Sequence, residues 1–312
     1  MTAGPAIAFG RMLGRRPQLS ALLGALCIAF SGIFYRYADV PPATATVFRC
    51  LYGLPILGAI AWWEHRRYGG LPGRSLRLAA IAGIFFAADL TFWHHAIEAV
   101  GAGLATVLGN LQVLIVGLAA WLLFGERPSR SVGLALPVVL VGVTLISGLA
   151  DAGAYGANPS LGVLLGVLTA ISYAGYLIVI RQGGRDPQRP AGPVAIATLS
   201  TAVVAGIVGA PLGELELVPS WPGHGWLLLY GVTSQSIGYL LIAVSLPRLP
   251  AVVTSIILLV QPVTTVALGM LLLGEAPSAL QLLGVTLVVG GIAVATVPFG
   301  RLRGTPAPAA TG

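Results

Sequence analysis

Two similar stretches, WLLFGERPS at 121–129 and MLLLGEAPS at 270–278, decide the fold of this chain. They lie 149 residues apart, and the same offset places Gln112 on Gln261 and Gly142 on Gly291. Weak internal similarity of this kind indicates a structural unit that is used twice. The two stretches therefore predict that the chain consists of two related halves.

A second pair of stretches extends the repeat toward the beginning of each half. AFSGIFYRYA from Ala29 and AISYAGYLIV from Ala170 align at an offset near 141, which places Ser31 on Ser172 and Tyr35 on Tyr176. We divide the chain into an N-terminal tail at 1–17, a first repeat at 18–149, a second repeat at 150–298 and a tail at 299–312. The composition of the last tail, mostly Pro, Ala, Gly and Thr, predicts disorder.

The composition is that of a polytopic membrane protein. Hydrophobic residues make up 56% of the chain, charged residues 9%, and the mean hydropathy is +0.90, whereas soluble domains carry about 25% charged residues. About 20 apolar residues cross the hydrocarbon core as one helix, because lipid offers the backbone no hydrogen-bonding partner. We predict ten such spans, five in each repeat, at 18–38, 44–63, 76–98, 102–124, 131–149, 160–180, 191–209, 224–245, 250–273 and 278–298.

Basic residues alternate between the connections of these spans. All seventeen are Arg, and fifteen of them fall before the first span, after the last one, or in every second connection. The other connections carry acids, such as Asp39, Glu98 and Asp151. Since cytoplasmic loops are enriched in Arg and Lys, we expect both termini in the cytoplasm of a bacterial cell and the chain in its inner membrane.

The odd number of spans per repeat reverses the orientation of the second half. Glu126 then lies on the cytoplasmic face and its counterpart Glu275 on the outer face; the loop at Glu126 carries Arg127 and Arg130, and the loop at Glu275 carries no Arg. Inverted repeats are typical of secondary transporters, because two similar halves that exchange conformations open a central site to either face in turn. The fold class we predict is an all-α integral membrane protein with two inverted five-helix repeats.

This pattern resembles the drug/metabolite transporter superfamily, EamA type. The resemblance rests on ten helices in two halves and on the Gly-Glu pair that closes the fourth helix of each half, Gly125-Glu126 and Gly274-Glu275. It covers residues 18–298 and implies export of small metabolites by alternating access, with amino acids, aromatic ones included, as the substrates of the most similar members. It also implies a central cavity lined by helices one, three, four, six, eight and nine.

Polar and aromatic residues inside the spans are the candidates for substrate binding, since such groups are costly in a membrane and usually face a cavity or a partner. Asp89 and Trp93 share one face of the third helix. Asp89 is either a structural ion pair with Arg49, which lies at a similar depth, or a group for proton coupling or a substrate ammonium. The full set of predicted substrate-binding residues is Ser31, Asp89, Trp93, His94, Asn110, Tyr173, Tyr176, Gln235, Tyr239 and Gln261.

Other functions are disfavoured by what the sequence lacks. No GxSxG, HExxH, Cys-His pair or phosphate-binding loop is present, so we expect no enzyme. His94 and Glu98 have the i, i+4 spacing of metal ligands but lack a third, so we expect no metal and no cofactor. The expected partners are a small-molecule substrate and the bilayer; no nucleic acid is expected, and a homodimer stays open. The alternative functions are a proton-coupled exporter of drugs or purines and, more distantly, a membrane-embedded enzyme.

Overall fold

The computed structural model describes residues 16–124, 130–183, 186, 188–245, 248–249, 253 and 257–296, and regular structure within these residues is helical. Ten apolar helical segments are present in this part of the chain, as the sequence predicts. Eight are long enough to cross a membrane, and α5 and α9 are shorter. Their bounds are α1 Pro17–Ala38, α2 Pro42–Tyr68, α3 Gly73–Val100, α4 Ala102–Gly109 continued by Gln112–Phe124, α5 Arg130–Ile146, α6 Pro159–Gly183, α7 Ala191–Gly209, α8 Gly223–Ser245, α9 Val260–Leu272 and α10 Ala279–Thr296.

Three of these segments are not continuous α-helices. In α1 the helix is interrupted at Phe30, and α4 has a turn at 110–111 before its helix resumes at Gln112 and runs to Phe124. The middle of α8 is a π-helix from Tyr230 to Gly238. π-Helical turns are rare and occur mostly at functional sites, so α8 is irregular where the candidate residue Gln235 lies.

The packing of the helices repeats when the two halves are exchanged. Each of the pairs α2 with α7, α4 with α9, and α5 with α10 is in contact. The contact of α3 with α6 has its counterpart in α8 with α1, and that of α3 with α7 in α8 with α2. Exchange of the halves therefore maps the contacts onto themselves. Because each half has five helices, the axis that relates them lies in the membrane plane.

The contact between α5 and α10 confirms the residue register of the repeat. A methyl group added at Gly284 would lie 2.6 Å from the carbonyl oxygen of Gly142, so the two backbones touch there. The equivalent contact of the other half joins Gly291 to Ala135 and Val139, where an added methyl group would lie 3.5 Å from the Ala135 carbonyl oxygen. The offset of 149 found in the sequence thus relates Ala135 to Gly284 and Gly142 to Gly291.

Two buried glutamates join the halves at opposite ends of the bundle. Glu64, near the end of α2, accepts hydrogen bonds from the N–H groups of Ala191 (3.0 Å) and Gly192 (2.9 Å), which begin α7. Glu275, after α9, accepts the first two N–H groups of α4. A carboxylate at a helix N-terminus satisfies N–H groups that have no partner within the helix. Glu126, the repeat counterpart of Glu275, lies outside the described residues.

Candidate functional site

A buried arginine in α2 is the centre of the polar network inside the bundle. Arg49 is 2% exposed, and its Nε donates to Oε1 of Gln235 at 2.8 Å. One terminal nitrogen donates to the hydroxyl of Tyr230 at 2.7 Å. Gln235 in turn donates from Nε2 to Oγ1 of Thr198 at 2.9 Å. A charge at this depth needs partners of this kind, because an unpaired buried charge costs several kcal/mol.

Aromatic rings surround the guanidinium group. Its carbon lies 4.6 Å from the ring centre of Tyr230, 5.7 Å from that of Phe86 and 6.0 Å from that of Tyr239. Phe86 also stacks on Tyr176, with ring centres 4.7 Å apart. Arginine is attracted to the negative face of an aromatic ring, most strongly where water is excluded.

Of the two alternatives for Asp89, the direct ion pair with Arg49 is not formed. Within the described part of the chain, the ion pairs shorter than 4.0 Å are His95 with Glu214 and Arg189 with Asp186. Asp89 is 6% exposed and interacts with the Arg49 charge through space. The prediction compared only depths in the membrane, whereas the hydrogen bonds of Arg49 point across to α8. Asp89 and Arg49 are therefore two separate buried ionisable groups.

Two tyrosine rings of α6 lie close to Arg49 and Asp89. Tyr173 and Tyr176 are stacked with ring centres 5.6 Å apart. Tyr239 approaches Phe86 edge-on at 5.7 Å and its hydroxyl interacts with that of Tyr173. We call the whole group the central cluster; it consists of Arg49, Phe86, Asp89, Tyr173, Tyr176, Tyr230, Gln235 and Tyr239.

Close contact of two helices brings α8 to Arg49. A methyl group added at Gly53 of α2 would lie 2.9 Å from Cγ of Gln235, and one added at Gly231 of α8 would lie 2.7 Å from the carbonyl oxygen of Arg49. Both positions therefore lack the space for a side chain. The two glycines let α2 and α8 approach until Gln235 and Tyr230 reach the guanidinium group.

His94 is a fully buried member of a hydrogen-bond chain beside the cluster. Its Nε2 lies 3.1 Å from the hydroxyl of Tyr230, and its Nδ1 lies 3.1 Å from Oγ1 of Thr46. Thr46 donates its own proton to the carbonyl of Pro42, so it accepts from Nδ1–H. Tyr230 accepts from Arg49 and donates to Nε2. Both nitrogens of a neutral His94 are thus used within the protein, and the chain of bonds holds Tyr230 against Arg49.

The other predicted residues lie outside the central cluster. Trp93 packs beside His94 with ring centres 5.2 Å apart. Asn110 donates from Nδ2 to the carbonyl of Thr106 at 2.8 Å, at the turn in α4. Ser31 is buried in α1, and Gln261 is half-buried in α9. The prediction thus contains residues of the cluster together with residues of neighbouring helices.

The family model described as the EamA-like transporter family matches residues 16–148 and 160–297, which include nearly all of both halves. This chain belongs to the EamA-like transporter family. The match occurs twice, once for each five-helix half, as the internal repeat requires. It confirms the resemblance to the drug/metabolite transporter superfamily, and the protein is a multi-pass membrane transporter of that type.

Relatives of this chain are similar to it along nearly their whole length. Protein PA1977 of Pseudomonas aeruginosa is 30% identical over 92% of this chain and 96% of its own. The transporter YwfM of Bacillus subtilis is 26% identical over 91% and 94%, respectively. A solved crystal structure superposes with a TM-score of 0.62 at 23% identity and covers 90% of this chain and 98% of that one. At that identity the structure supports the fold alone.

The sequence analysis did not identify several residues that hold the central cluster together. Phe86, Tyr230, Thr46 and Thr198 were not predicted, although the rings of the first two lie within 6 Å of the Arg49 guanidinium carbon. Tyr230 of α8 lies at nearly the same depth in the membrane as Arg49, and it precedes Gln235 by more than one helical turn. A search for aromatic residues at the depth of the buried arginine, without regard to the repeat, would have found it.

A small cavity opens at the end of the bundle where α1 and α3 finish. It has a volume of ≈ 280 Å³ and is lined by residues 35, 36, 39–41 and 98. The hydroxyl of Tyr35 donates to Glu98 at 2.7 Å at its edge, and the ring of Tyr35 lies 4.3 Å from that of His94. Tyr35 and His94 are thus the side chains between this cavity and the central cluster.

Proposed function

We propose that this EamA transporter exports amino acids, aromatic ones included, by alternating access. The observation that carries the proposal is that a buried guanidinium group and a buried carboxyl group, those of Arg49 and Asp89, share the central cluster without pairing with each other. An amino-acid zwitterion carries a carboxylate and an ammonium group a few ångströms apart. It would use Arg49 for the first and Asp89 for the second, replacing the water that each group loses.

Arg49 retains hydrogen-bonding capacity for a substrate. A guanidinium group has five N–H donors, and in the described structure two hydrogen bonds leave Arg49. The remaining donors suit a carboxylate. The rings of Tyr173, Tyr176 and Phe86 supply apolar surface for the side chain of the amino acid. Sites of this kind combine apolar walls with a few polar groups that fix orientation.

Alternating access is supported by the exchange symmetry of the helix contacts. When the halves exchange conformations, the pair α1 with α8 takes the packing of α6 with α3, and the bundle opens at the opposite end. The central cluster draws residues from both halves, since Arg49 and Asp89 lie in the first and Gln235 in the second. The outward direction rests on the known members of the superfamily.

Counterflow in proteoliposomes tests the substrate class. Liposomes loaded with unlabelled tyrosine or phenylalanine should accumulate the labelled amino acid only when they contain the protein. The matching amine, which lacks the carboxylate, and the matching acid, which lacks the ammonium group, should each compete poorly, because each leaves one buried charge without a partner. Equal competition by the amine alone would contradict the zwitterion site.

A proton-coupled exporter of drugs or purines is the second candidate. The unpaired carboxyl of Asp89 among aromatic rings favours it, since such a group can exchange a proton for a cationic or aromatic substrate. A pH gradient imposed across the proteoliposome membrane distinguishes the two functions. Uptake of an organic cation that is driven by the gradient, without counterflow of amino acids, would select the second.

The orientation in the membrane is part of the proposal. We place the chain in a bacterial inner membrane with both termini cytoplasmic, which puts the end with Glu275 outside. Arg66, Arg67, Arg74 and Arg77 all lie at the other end, around the start of α3. The excess of arginine on that side supports the assignment.

A further inference from the structure

Three buried polar side-chain atoms in the described chain have no hydrogen-bond partner, and two of them lie on helices that pack together. They are Oγ of Ser31 in α1, Oε1 of Gln112 in α4 and Oγ1 of Thr169 in α6. Ser31 lies apart from the other two, since a methyl group added at the adjacent Gly32 would lie 2.8 Å from Cβ of Ala102 at the start of α4. Gln112 and Thr169 each lie ten residues, or about 15 Å, from the start of their helices, and α4 packs against α6. These two orphan atoms thus lie at a similar depth on two helices in contact.

Thr169 departs from what threonine does elsewhere in this bundle. A helical threonine in a membrane satisfies its hydroxyl by donating to the carbonyl four residues earlier. Eight threonines of this chain do so, at positions 46, 91, 106, 144, 201, 233, 265 and 286. Thr169 is 3% exposed and makes no such bond. Its hydroxyl is turned away from the local acceptor and left for another group.

The surroundings of Thr169 connect it to the charged part of the site. A methyl group added at Gly109 would lie 3.3 Å from Cγ2 of Thr169 and 4.0 Å from Cδ1 of Trp93, so these three residues meet where α4 approaches its turn. Trp93 follows Asp89 by one helical turn on the same face of α3. A ligand held at Asp89 would therefore extend along the indole of Trp93 toward Thr169.

We propose that Gln112 and Thr169 form a subsite for the side chain of the substrate, and that it selects amino acids whose side chain carries a hydroxyl or amide group. The inference rests on the proposed amino-acid function and adds its specificity. A hydroxyl or amide can donate to Oε1 of Gln112 and exchange hydrogen bonds with the hydroxyl of Thr169. An orphan polar atom is costly, and a hydrocarbon side chain leaves both in that state.

Substrate pairs that differ by one hydroxyl test the subsite. The ratio of counterflow for threonine over valine, and for tyrosine over phenylalanine, is measured for the wild type, Thr169→Val and Thr169→Ser. The wild type should favour the hydroxyl-bearing member of each pair that it transports. Thr169→Val should lower that preference about tenfold, the worth of one buried hydrogen bond, and Thr169→Ser should retain it. The matched control is Thr286→Val, which removes a hydroxyl that is satisfied within α10.

Several results would overturn the subsite. The first is a wild type that prefers valine and phenylalanine, the second is an unchanged ratio in Thr169→Val, and the third is an equal loss of both substrates in that variant. If Thr169→Val does not assemble, Gln112→Leu is measured in the same way with the same expectation. Absence of counterflow for every amino acid would instead contradict the proposed function itself, whereas normal counterflow with unchanged ratios removes only the subsite.

Discussion

Replacement of Asp89 by Asn separates a substrate-binding role from a structural one. Two unit charges 4 Å apart interact by about 4 kcal/mol at an effective dielectric constant of about 20. Asp89 and Arg49 are farther apart than 4.0 Å, so this figure is an upper bound for their attraction. Asparagine loses that attraction but also avoids the cost of burying a charge, which is several kcal/mol. The two terms oppose each other, so we expect a net loss of stability of about 1 kcal/mol, which is typical of a single substitution.

Transport should respond much more strongly than stability. A charge-assisted hydrogen bond to the substrate ammonium contributes about 1.5 to 3 kcal/mol. Its loss should raise the KM for counterflow roughly 10- to 100-fold. The stability of the same variant is measured by thermal unfolding of the detergent-purified protein, followed by intrinsic fluorescence. Leu287→Ala in α10, outside the central cluster, is the matched control and should leave the KM unchanged.

Two results would refute this reasoning, one from the stability measurement and one from the KM. A variant Asp89→Asn that fails to assemble, together with recovery in the double variant Asp89→Asn/Arg49→Gln, would show that Asp89 serves to neutralise Arg49. A normal KM in a stable Asp89→Asn protein would remove Asp89 from the substrate path. Arg49 itself keeps its bonds to Gln235 and Tyr230 in the single variant, so its own network is unchanged.

Two further predictions concern the ends of the bundle. Glu275→Ala should lower the free energy of unfolding by about 2 to 3 kcal/mol, because two N–H groups of α4 lose a charged acceptor, and Glu275→Gln should cost less than half as much. Burial raises the pKa of the Glu275 carboxyl, against the opposing effect of those N–H groups, so the glutamine variant is relieved of a buried charge; thermal unfolding checks both, and equal losses would contradict the argument. Single cysteines at positions 126 and 275 should react with a membrane-impermeant thiol reagent from opposite sides, and reaction from the same side would end the inverted-repeat assignment.

Some of the candidate site was predictable because depth in a membrane can be counted along a helix. Tyr173, Tyr176, Gln235 and Tyr239 were chosen as polar or aromatic groups near mid-span, and the structure brings them to one place around Arg49. Counting residues along a helix gives the depth of a side chain but not the direction in which it points around the helix axis. For that reason the pairing of Arg49 with Asp89 was left open, and the bonds that Arg49 makes to α8 were not foreseen.

The roles of the buried glutamates also required the structure. Glu64 was not considered, since α2 extends beyond the predicted end of the span at residue 63 and carries this side chain to the start of α7. Glu275 was recognised as part of a repeated Gly-Glu pair, but the N–H groups that donate to it lie more than 170 residues away in sequence. Contacts of this range depend on how the halves pack and have no local signal.

The sequence by itself determined the number of spans, the duplication, its register and the inversion of the halves. These follow from constraints that act along the chain: apolar length is set by bilayer thickness, and an odd number of spans reverses orientation. Only the tertiary structure decided which polar groups meet. Glycine contacts such as Gly53 with Gln235, and the π-helix of α8, set the rotation and approach of the helices. Hydrogen bonds operate within about 3 Å, so these small displacements determine that Arg49 bonds to Gln235 and leave Asp89 without a direct partner.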